Sequence, residues 1–257
     1  MALIAHCLAP VRNRRITSCF LQQNKNFFKR KSKPNTKIDP YMIVRATPDD
    51  TCQILDLMWS AYHPDEPTTK SLGLGKHRNC VFDEQARKIL AKGYSVVAKC
   101  KYNGSVVGAA LCESCSPWDP AMTEKLACTL KDPKMARLYM FWAYLQRAPN
   151  LWEKYCQMNI YEIVNVFVRH EDRQRGLAKR LMATAKENGA DAGYKVIRVD
   201  ASSTATAKIC EKLKMKLVYE IPFCSYVSEQ NEVIFKVPDP TSIKIYVDTP
   251  HWVPQKK

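Results

Sequence analysis

The sequence lacks several features that would place it in a special class of protein. No apolar run approaches the roughly 18 residues that a membrane helix requires, so no membrane partner is expected. Glycine is scarce, with eight residues in a chain of 257, and no internal repeat or low-complexity run interrupts the sequence. The hydrophobic fraction of 46% and the charged fraction of 25% are those of an ordinary globular protein that is long enough to bury a core.

Acidic residues are absent from the first 38 positions, which are rich in basic residues. The basic residues there are Arg12, Arg14, Arg15, Lys25, Lys29, Arg30, Lys31, Lys33 and Lys37. The rest of the chain holds 31 basic and 25 acidic residues, so most of the net charge of +15 lies in this segment. The mildly basic charge of residues 39–257 suits a small anionic ligand better than the phosphate backbone of a nucleic acid. No nucleic-acid partner is therefore expected. Nucleic-acid binding through the basic segment is the alternative.

We interpret residues 1–40 as a basic arm outside the fold and residues 41–257 as a single domain. The composition of the arm resembles that of a mitochondrial transit peptide, although a disordered basic tail without a specific role would have the same composition. We predict a cytoplasmic protein, with the mitochondrion as the alternative.

The cysteines do not form a metal or disulfide framework. There are 11 of them, an odd number, and we expect no secretory signal. Cys112 and Cys115 form a lone C-x-x-C pair without a second pair at zinc spacing, so no metal site is expected. The cysteines are interpreted as reduced and mostly buried thiols.

Apolar periodicity and turn residues predict a mixed α/β fold. Strands are predicted at 41–45, 94–101, 106–113, 160–168, 196–199, 218–223, 232–235 and 243–247. Helices are predicted after Thr47, at 82–92, after Asp132, after Gly176 and at 205–213. The dipeptide Asn103-Gly104 predicts a tight hairpin turn. Strand–helix–strand runs of this length indicate crossover connections within one sheet.

The stretch from Val166 to Leu181 is the central feature of the sequence. An apolar strand, Ile160 to Val168, leads into a loop that carries Arg169, Arg173 and Arg175. Gly176 then begins a helix, whose first backbone N–H groups lack intrahelical partners. Amides at a helix start favour negative charge, and a residue without Cβ lets an anion approach the backbone. The pattern therefore predicts an anion site at residues 173–178, here called the anion loop.

A second segment, Asp65-Glu66-Pro67-Thr68, places two carboxylates between Pro64 and Pro67. Proline stiffens the backbone on both sides, so a carboxylate here could be aimed into a cleft. A solvated turn is the alternative, because most acidic loop residues are exposed to water.

Three motifs together give the chain a resemblance to a known family. Residues 173–178 look like the R/Q-x-x-G-x-G/A signature of the GNAT superfamily of N-acetyltransferases. With Asp65-Glu66-Pro67 and the run Ser202 to Lys208, the chain resembles the insect-type arylalkylamine N-acetyltransferases over roughly residues 41–250. The resemblance implies a mixed, mostly antiparallel central sheet with helices on both faces. It also implies acetyl-CoA as acyl donor and a small primary amine, arylalkylamine-like or a polyamine, as acceptor.

The resemblance also assigns roles to individual residues. Glu66 would be the general base, acting through ordered water, and Ser202 and Thr206 would lie near the thioester. The positions implied to bind acetyl-CoA are Val166, Phe167, Val168, Arg173, Gln174, Arg175, Gly176, Leu177 and Ala178. These roles meet the needs of the reaction, since an attacking amine must lose a proton and a leaving thiolate must gain one.

The chain departs from the family pattern near its carboxyl-terminal helix. Thr206 replaces a serine, and Cys210 stands where many GNAT enzymes have a tyrosine acid. We interpret Cys210 as a buried structural cysteine. Ser203 could cap the same helix, in which case its neighbouring hydroxyls would be structural. A protein lysine or amino terminus as acceptor, and a CoA-binding protein without activity, are the alternative functions; a monomer is favoured.

Overall fold

The structure is a computed structural model that describes residues 39–250. Positions 1–38 of the predicted basic arm and positions 251–257 lie outside the described residues. The described chain forms a seven-stranded sheet with the order β1-β2-β3-β4-β5-β7-β6. The strands are β1 (Tyr41–Arg45), β2 (Val96–Cys100), β3 (Val106–Cys115), β4 (Ile160–Val168), β5 (Ile197–Ala201), β6 (Lys216–Pro222) and β7 (Ser242–Asp248). Only the β4–β5 pair is parallel among these strands, as predicted for a mostly antiparallel sheet.

Eight α-helices connect the described strands. They are α1 (Thr51–Ala61), α2 (Pro67–Leu72), α3 (Cys80–Ala91), α4 (Asp119–Thr129), α5 (Pro133–Arg147), α6 (Leu151–Tyr155), α7 (Leu177–Asp191) and α8 (Thr204–Lys212). None of the helices within residues 39–250 is long and apolar enough to cross a membrane.

Helices cover both faces of the sheet, which confirms the predicted fold class. On one face, α7 and α8 contribute Leu181, Ala185 and Cys210 to a core that includes β2, β3 and β5. On the other face, α1 and α3 pack against β2 and β3 through residues such as Ile54 and Ile89. Helix α5 belongs to a third core, here called the aromatic core because it is rich in aromatic rings, which it shares with β6 and β7.

Strands β4 and β5 separate halfway along β4. Their parallel pairing runs from Tyr161 to Ile163 and ends there. At the same level the register between β3 and β4 shifts, so that Leu111 faces Asn165 while Cys112 faces Ile163. Such an irregularity is a β-bulge, which bends a strand and re-aims its side chains. The sheet therefore opens beside Val164, Asn165 and the residues that follow them.

The predicted strand at Glu232–Phe235 is wrong. The segment forms one isolated bridge, between Val227 and Val233, and no ladder. Phe235, which is 1% exposed, belongs to the aromatic core, and Ile234 packs against that core. Burial of a loop by aromatic packing produces the same apolar pattern as a strand, which explains the error.

Helices α2, α4 and α6 were not predicted. Pro67 was interpreted as a stiffener of a loop, but it occupies the first turn of α2, where proline is favoured because its missing N–H is not needed. Helix α4 leaves Met122 and Leu126 exposed, so it has no clean apolar stripe to recognise. Helix α6 has five residues, too few for a period to be recognised.

Candidate functional site

Residues 173–176 of the anion loop are exposed, and they form a left-handed turn directly before α7. Gly176, the N-cap of this 15-residue helix, has a φ of 76°, and Gln174 has a φ of 61°. A Cβ on Gly176 would meet no atom within 4 Å, so the glycine is required by its backbone angle and not by crowding. No side chain of the described chain caps α7, which leaves the amides at its start available to an anion.

A buried carboxylate fixes the loop to the first strand. Asp172 is 5% exposed and accepts hydrogen bonds from the Tyr41 hydroxyl and from Arg169 Nε, the latter at 2.7 Å. Arg175 Nη1 donates to the Tyr41 hydroxyl at 2.6 Å. Burial alone would raise the pKa of Asp172, but the hydrogen bonds from Tyr41 and Arg169 outweigh it and lower that pKa. The loop is thus held by an ionised carboxylate.

The Arg173 side chain connects the anion loop to the segment that carries Glu66. Its Nη1 lies 2.8 Å from Asp65 Oδ2, its Nη2 donates to the Ala61 carbonyl at 2.7 Å, and its Nε donates to the Val168 carbonyl at 3.1 Å. All three guanidinium nitrogens are therefore engaged with the protein. The loop can offer the backbone of Arg173 and its positive potential to a ligand, while the side chain braces two segments.

Glu66 is the N-cap of α2, and its carboxylate is fixed by three donors. Oε2 accepts from Thr68 Oγ1 at 2.6 Å, from Thr69 N at 2.7 Å and from Thr69 Oγ1 at 2.7 Å. The residue is 8% exposed, so it is a buried carboxylate and not a solvated turn. Charge-assisted hydrogen bonds of this length hold the group in one orientation.

Glu66 lies in the wall of a cavity of about 600 Å³ on the α1–α3 face of the sheet. Aromatic rings form much of the wall, and carboxyl groups lie among them. The aromatic residues are Tyr62, His63, Phe82, Tyr139 and Trp142, and the carboxyl groups include Glu66, Glu162 and Asp200. Such a wall suits a small organic molecule that carries a cationic or polar group.

The cavity reaches the place where β4 and β5 separate. Val164 and Asn165 line it, and Asn165 Nδ2 donates to the Tyr62 hydroxyl at 2.8 Å. Burial raises the pKa of Tyr62, and the negative charge of Glu66 raises it further. Tyr62 therefore stays a neutral phenol that links the Glu66 side of the cavity to the opened strand.

The aromatic wall also contains a buried histidine. His63 is 4% exposed, and its ring stacks on Phe82 with the centroids 4.6 Å apart. Burial lowers the pKa of His63 to about 4, so the ring is neutral at physiological pH. Its Nδ1 has no hydrogen-bond partner within the described residues.

The hydroxyl residues at the start of α8 take different positions. Ser203 is the N-cap and accepts from Thr206 N at 3.1 Å, as the capping alternative anticipated. Its hydroxyl also shares a hydrogen bond of 2.9 Å with Thr206 Oγ1. Ser202 lines the cavity, whereas Thr206 does not. Cys210 lies in the core beneath α8, where burial raises the pKa of its thiol to about 12.

The structure brings some of the predicted site residues into one cavity and leaves others apart. Glu66 and Ser202 share the cavity wall. The residues predicted to bind acetyl-CoA, 166–168 and 173–178, do not line it. The first three continue strand β4 beyond Asn165, and the others form the anion loop. Within the described residues, no group of three or more histidine, cysteine or acidic side chains could hold a metal ion.

Several residues of the site were not found from the sequence. Glu162 and Asn165 are polar residues in a strand, β4, that is otherwise mostly apolar. This departure from the apolar pattern is the sequence signal by which they could have been found. Tyr62, Tyr41 and Asp172 gave no local signal, because their roles depend on contacts with distant segments.

Comparison with known proteins supports the fold. No protein-family model matches the chain. A mosquito arylalkylamine N-acetyltransferase-like 5b structure superposes with a TM-score of 0.77 at 23% identity, covering 81% of this chain and 99% of that one. Arylalkylamine N-acetyltransferase 2 from Aedes aegypti gives 0.78 at 20% identity, with 82% and 100% covered. A Drosophila melanogaster polyamine N-acetyltransferase, which forms N-acetylagmatine, gives 0.73 at 19% identity, with 81% and 99% covered. The predicted GNAT-like fold, resembling that of the insect enzymes, is confirmed.

Proposed function

We propose that this protein is an N-acetyltransferase that moves the acetyl group of acetyl-CoA to a small primary amine of the arylalkylamine type. One observation carries the proposal: a buried, oriented carboxylate, Glu66, lies in the wall of a small-molecule cavity beside the point where β4 and β5 separate. The fold shared with amine acetyltransferases supports the same activity.

The described residues fit the anionic part of acetyl-CoA. The amides at the start of α7 are uncapped, the Gly176 turn is open to solvent, and Arg175 is exposed on the same loop. A diphosphate at this position would be stabilised by the amides and by the helix dipole. We propose that residues 173–178 hold it and that Val166, Phe167 and Val168 lie along the pantetheine arm. Acetyl-CoA supplies a thioester, whose acyl carbon is the electrophile.

The amine would occupy the cavity. Aromatic rings such as Phe82, Tyr139 and Trp142 offer an apolar surface to an aryl group. The Glu66 carboxylate can bind an ammonium group and take up a proton from the attacking nitrogen, directly or through water. Its three hydrogen bonds keep Oε2 in place, so that little reorganisation accompanies the reaction.

The leaving thiolate needs a hydrogen-bond donor or a proton. Ser202 is the better placed of the two proposed hydroxyls, because it lines the cavity. The hydroxyl of Thr206 is engaged with the cap of α8, so we propose a supporting role for it. A Cys210 thiol with a pKa of about 12 is a weak acid for this purpose.

An amine panel tests the proposal directly. The purified protein is mixed with acetyl-CoA and with arylalkylamines, polyamines, lysine peptides and peptides with free amino termini, and thiol release is followed. We expect turnover with arylalkylamines. Turnover with peptides alone would assign the protein acceptor instead. Calorimetric binding of acetyl-CoA without turnover would indicate a CoA-binding protein, and the absence of both would contradict the proposal.

We also propose the cytoplasm as the compartment, with the mitochondrion as the alternative, and a monomer as the working form. Imaging of the tagged full chain, and of a chain without residues 1–38, checks the compartment. Size-exclusion chromatography with light scattering checks the oligomeric state.

A further inference from the structure

Most of the hydroxyl groups that line the cavity are already engaged as hydrogen-bond donors. Those of Thr68, Thr69, Thr123 and Tyr139 each donate to a neighbouring side chain. The remaining two, on Tyr62 and Ser202, have no acceptor within residues 39–250. These two hydroxyl groups are therefore available to donate to a molecule bound in the cavity.

The Tyr62 side chain is held on the β4 side of the place where the sheet opens. Asn165 Nδ2 donates to its hydroxyl oxygen at 2.8 Å, and its ring packs on Phe167 with the centroids 5.7 Å apart. Both partners lie on β4 beyond its pairing with β5, whereas Ser202 follows directly after β5. The Asn165 amide thus fixes the phenol oxygen and leaves the hydroxyl hydrogen for another acceptor.

One turn of the chain positions both Tyr62 and Glu66. Tyr62 is the C-cap of α1, its N–H donates to the Met58 carbonyl at 3.0 Å, and its own carbonyl accepts from Glu66 N at 2.8 Å. Burial raises the pKa of Tyr62, and the charge of Glu66 raises it further, so the hydroxyl keeps its proton at physiological pH. The cavity therefore presents a neutral hydrogen-bond donor next to its oriented carboxylate.

The proposed reaction places negative charge on two atoms of the thioester in turn. When the amine nitrogen bonds to the acyl carbon, the π electron pair of the carbonyl moves onto its oxygen. The carbon–oxygen double bond then re-forms, the carbon–sulfur bond breaks, and the electron pair of that bond leaves on the sulfur. Ser202 is the proposed donor to the sulfur, so the oxygen still requires a donor.

We propose that Tyr62 is a catalytic residue that donates a hydrogen bond to the carbonyl oxygen of the acyl group as that oxygen becomes negatively charged. The inference rests on the proposed function and deepens it. Tyr62 transfers no proton in this step, because its hydroxyl retains the hydrogen that it shares with the oxyanion. A donor that is oriented before the reaction stabilises an oxyanion without any cost of reorientation. Asn165 is a positioning residue, since it acts through the Tyr62 oxygen.

The substitution Tyr62→Phe tests the assignment, because it removes one oxygen and retains the ring that packs on Phe167. We expect kcat to fall roughly 100-fold, while the KM for the amine and the Kd for acetyl-CoA change by about twofold or less. Steady-state kinetics measures the first two quantities, and calorimetry of acetyl-CoA binding measures the third and checks the fold. A fall in kcat of less than about threefold, or a raised KM for the amine at unchanged kcat, would overturn the proposal.

Tyr144→Phe is the matched control. The Tyr144 hydroxyl shares a hydrogen bond of 2.7 Å with the Tyr219 hydroxyl, and neither residue lines the cavity. This variant loses the same group from the same residue type, and its kcat should equal that of the wild type. Equal losses of kcat in the two variants would show a general effect of removing a phenol hydroxyl and would overturn the role of Tyr62.

Asn165→Leu tests whether the amide acts through the phenol. Alone it should lower kcat roughly tenfold, and in the Tyr62→Phe background it should cause no further loss, because the hydroxyl that it orients is already absent. Losses that multiply in the double variant would contradict the positioning role. Wild-type turnover with an unchanged Tyr62→Phe rejects only the role of Tyr62, whereas no wild-type turnover with any amine rejects the proposed function itself.

Discussion

The anion loop follows the end of β4, and the cavity lies against the middle of the same strand, yet the two regions are assembled differently. The loop consists of consecutive residues, 173–178, at a strand–helix junction. The cavity draws its wall from many separate elements, namely α1, α2, α3, α4, α5, β3, β4, β5 and β7. Residues 173–176 of the loop are exposed and none of them has an apolar side chain, whereas the cavity contains buried aromatic and ionisable groups. Under the proposed function, the loop binds acetyl-CoA and the cavity carries out the chemistry, and this contrast can be tested.

The strongest test of the contrast removes the charge of Glu66. Glu66→Gln keeps the shape of the side chain but abolishes its basicity, so we expect a loss of roughly 100-fold or more in kcat. The affinity for acetyl-CoA should change little, because the loop is intact. Steady-state kinetics and calorimetry measure the two effects separately.

The matched control is Asp132→Asn, since Asp132 caps α5 in the same way, by accepting from Lys134 N at 2.9 Å. It should affect stability alone. If both substitutions reduce kcat equally, the role of Glu66 is capping and not chemistry.

The free energy of unfolding at acid pH should depend on His63, which is buried in the cavity wall, and not on His170, which lies near the anion loop. The folded pKa of His63, about 4, lies below its ordinary value of 6.5, so the unfolded chain binds more protons between these values. The stability that the neutral ring contributes is present above pH 6.5 and is lost as the pH falls toward 4. At pH 5 the loss amounts to about 2 kcal/mol. His63→Phe should therefore lose less stability than the wild type between pH 7.5 and pH 5 in urea unfolding.

His170→Gln is the control for this prediction, because His170 is half exposed beside Asp65. This variant should retain the acid sensitivity of the wild type. An acid sensitivity of His63→Phe that equals that of the wild type would show that the ring is not the source.

A substitution at the backbone turn of the loop should weaken the use of acetyl-CoA and leave the amine cavity unaffected. Gly176→Ala introduces a Cβ at a φ of 76°, which costs about 1–2 kcal/mol in this region. If the loop distorts, the KM for acetyl-CoA should rise by roughly tenfold while the KM for the amine stays the same.

Gly104→Ala is the matched control, since Gly104 has a φ of 70° in the β2–β3 turn and equally open surroundings. It should lower stability by a similar amount without any change in KM. Equal kinetic effects of the two variants would argue against a binding role for the loop.

The smallest expected effect tests the connection between the two regions. Asp65→Asn weakens the ion pair with Arg173, which is 2.8 Å long and half exposed, so solvent screens much of its energy. We expect a change of about threefold or less in kcat/KM, because the contacts of Arg173 with the Ala61 and Val168 carbonyls remain.

Asp56→Asn, which weakens a surface ion pair of 2.7 Å with Arg78, is the control and should leave kcat/KM unchanged. A 100-fold loss in Asp65→Asn would instead place Asp65 itself in the chemistry.

The sequence by itself determined the features whose cause is local. The strand at Ile160–Val168, the glycine-started helix after it and the β2–β3 hairpin follow from apolar periodicity and from glycine at positions that need a positive φ. The resemblance of three short motifs indicated the GNAT-like fold before any geometry was known. Elements without a local signature, such as α6 and the buried loop around Phe235, could not be predicted.

Only the tertiary structure decided how the site is composed. The Arg173 side chain, which was predicted to bind acetyl-CoA, contacts Asp65, Ala61 and Val168, and these three acceptors lie on two separate segments. Ser202 and Thr206 looked equivalent along the chain, but one lines the cavity and the other belongs to a helix cap. The raised pKa of Glu162 results from its burial in the cavity wall, although Arg198 on the neighbouring strand opposes the shift. Proximity between distant segments sets these properties, and no local pattern encodes it.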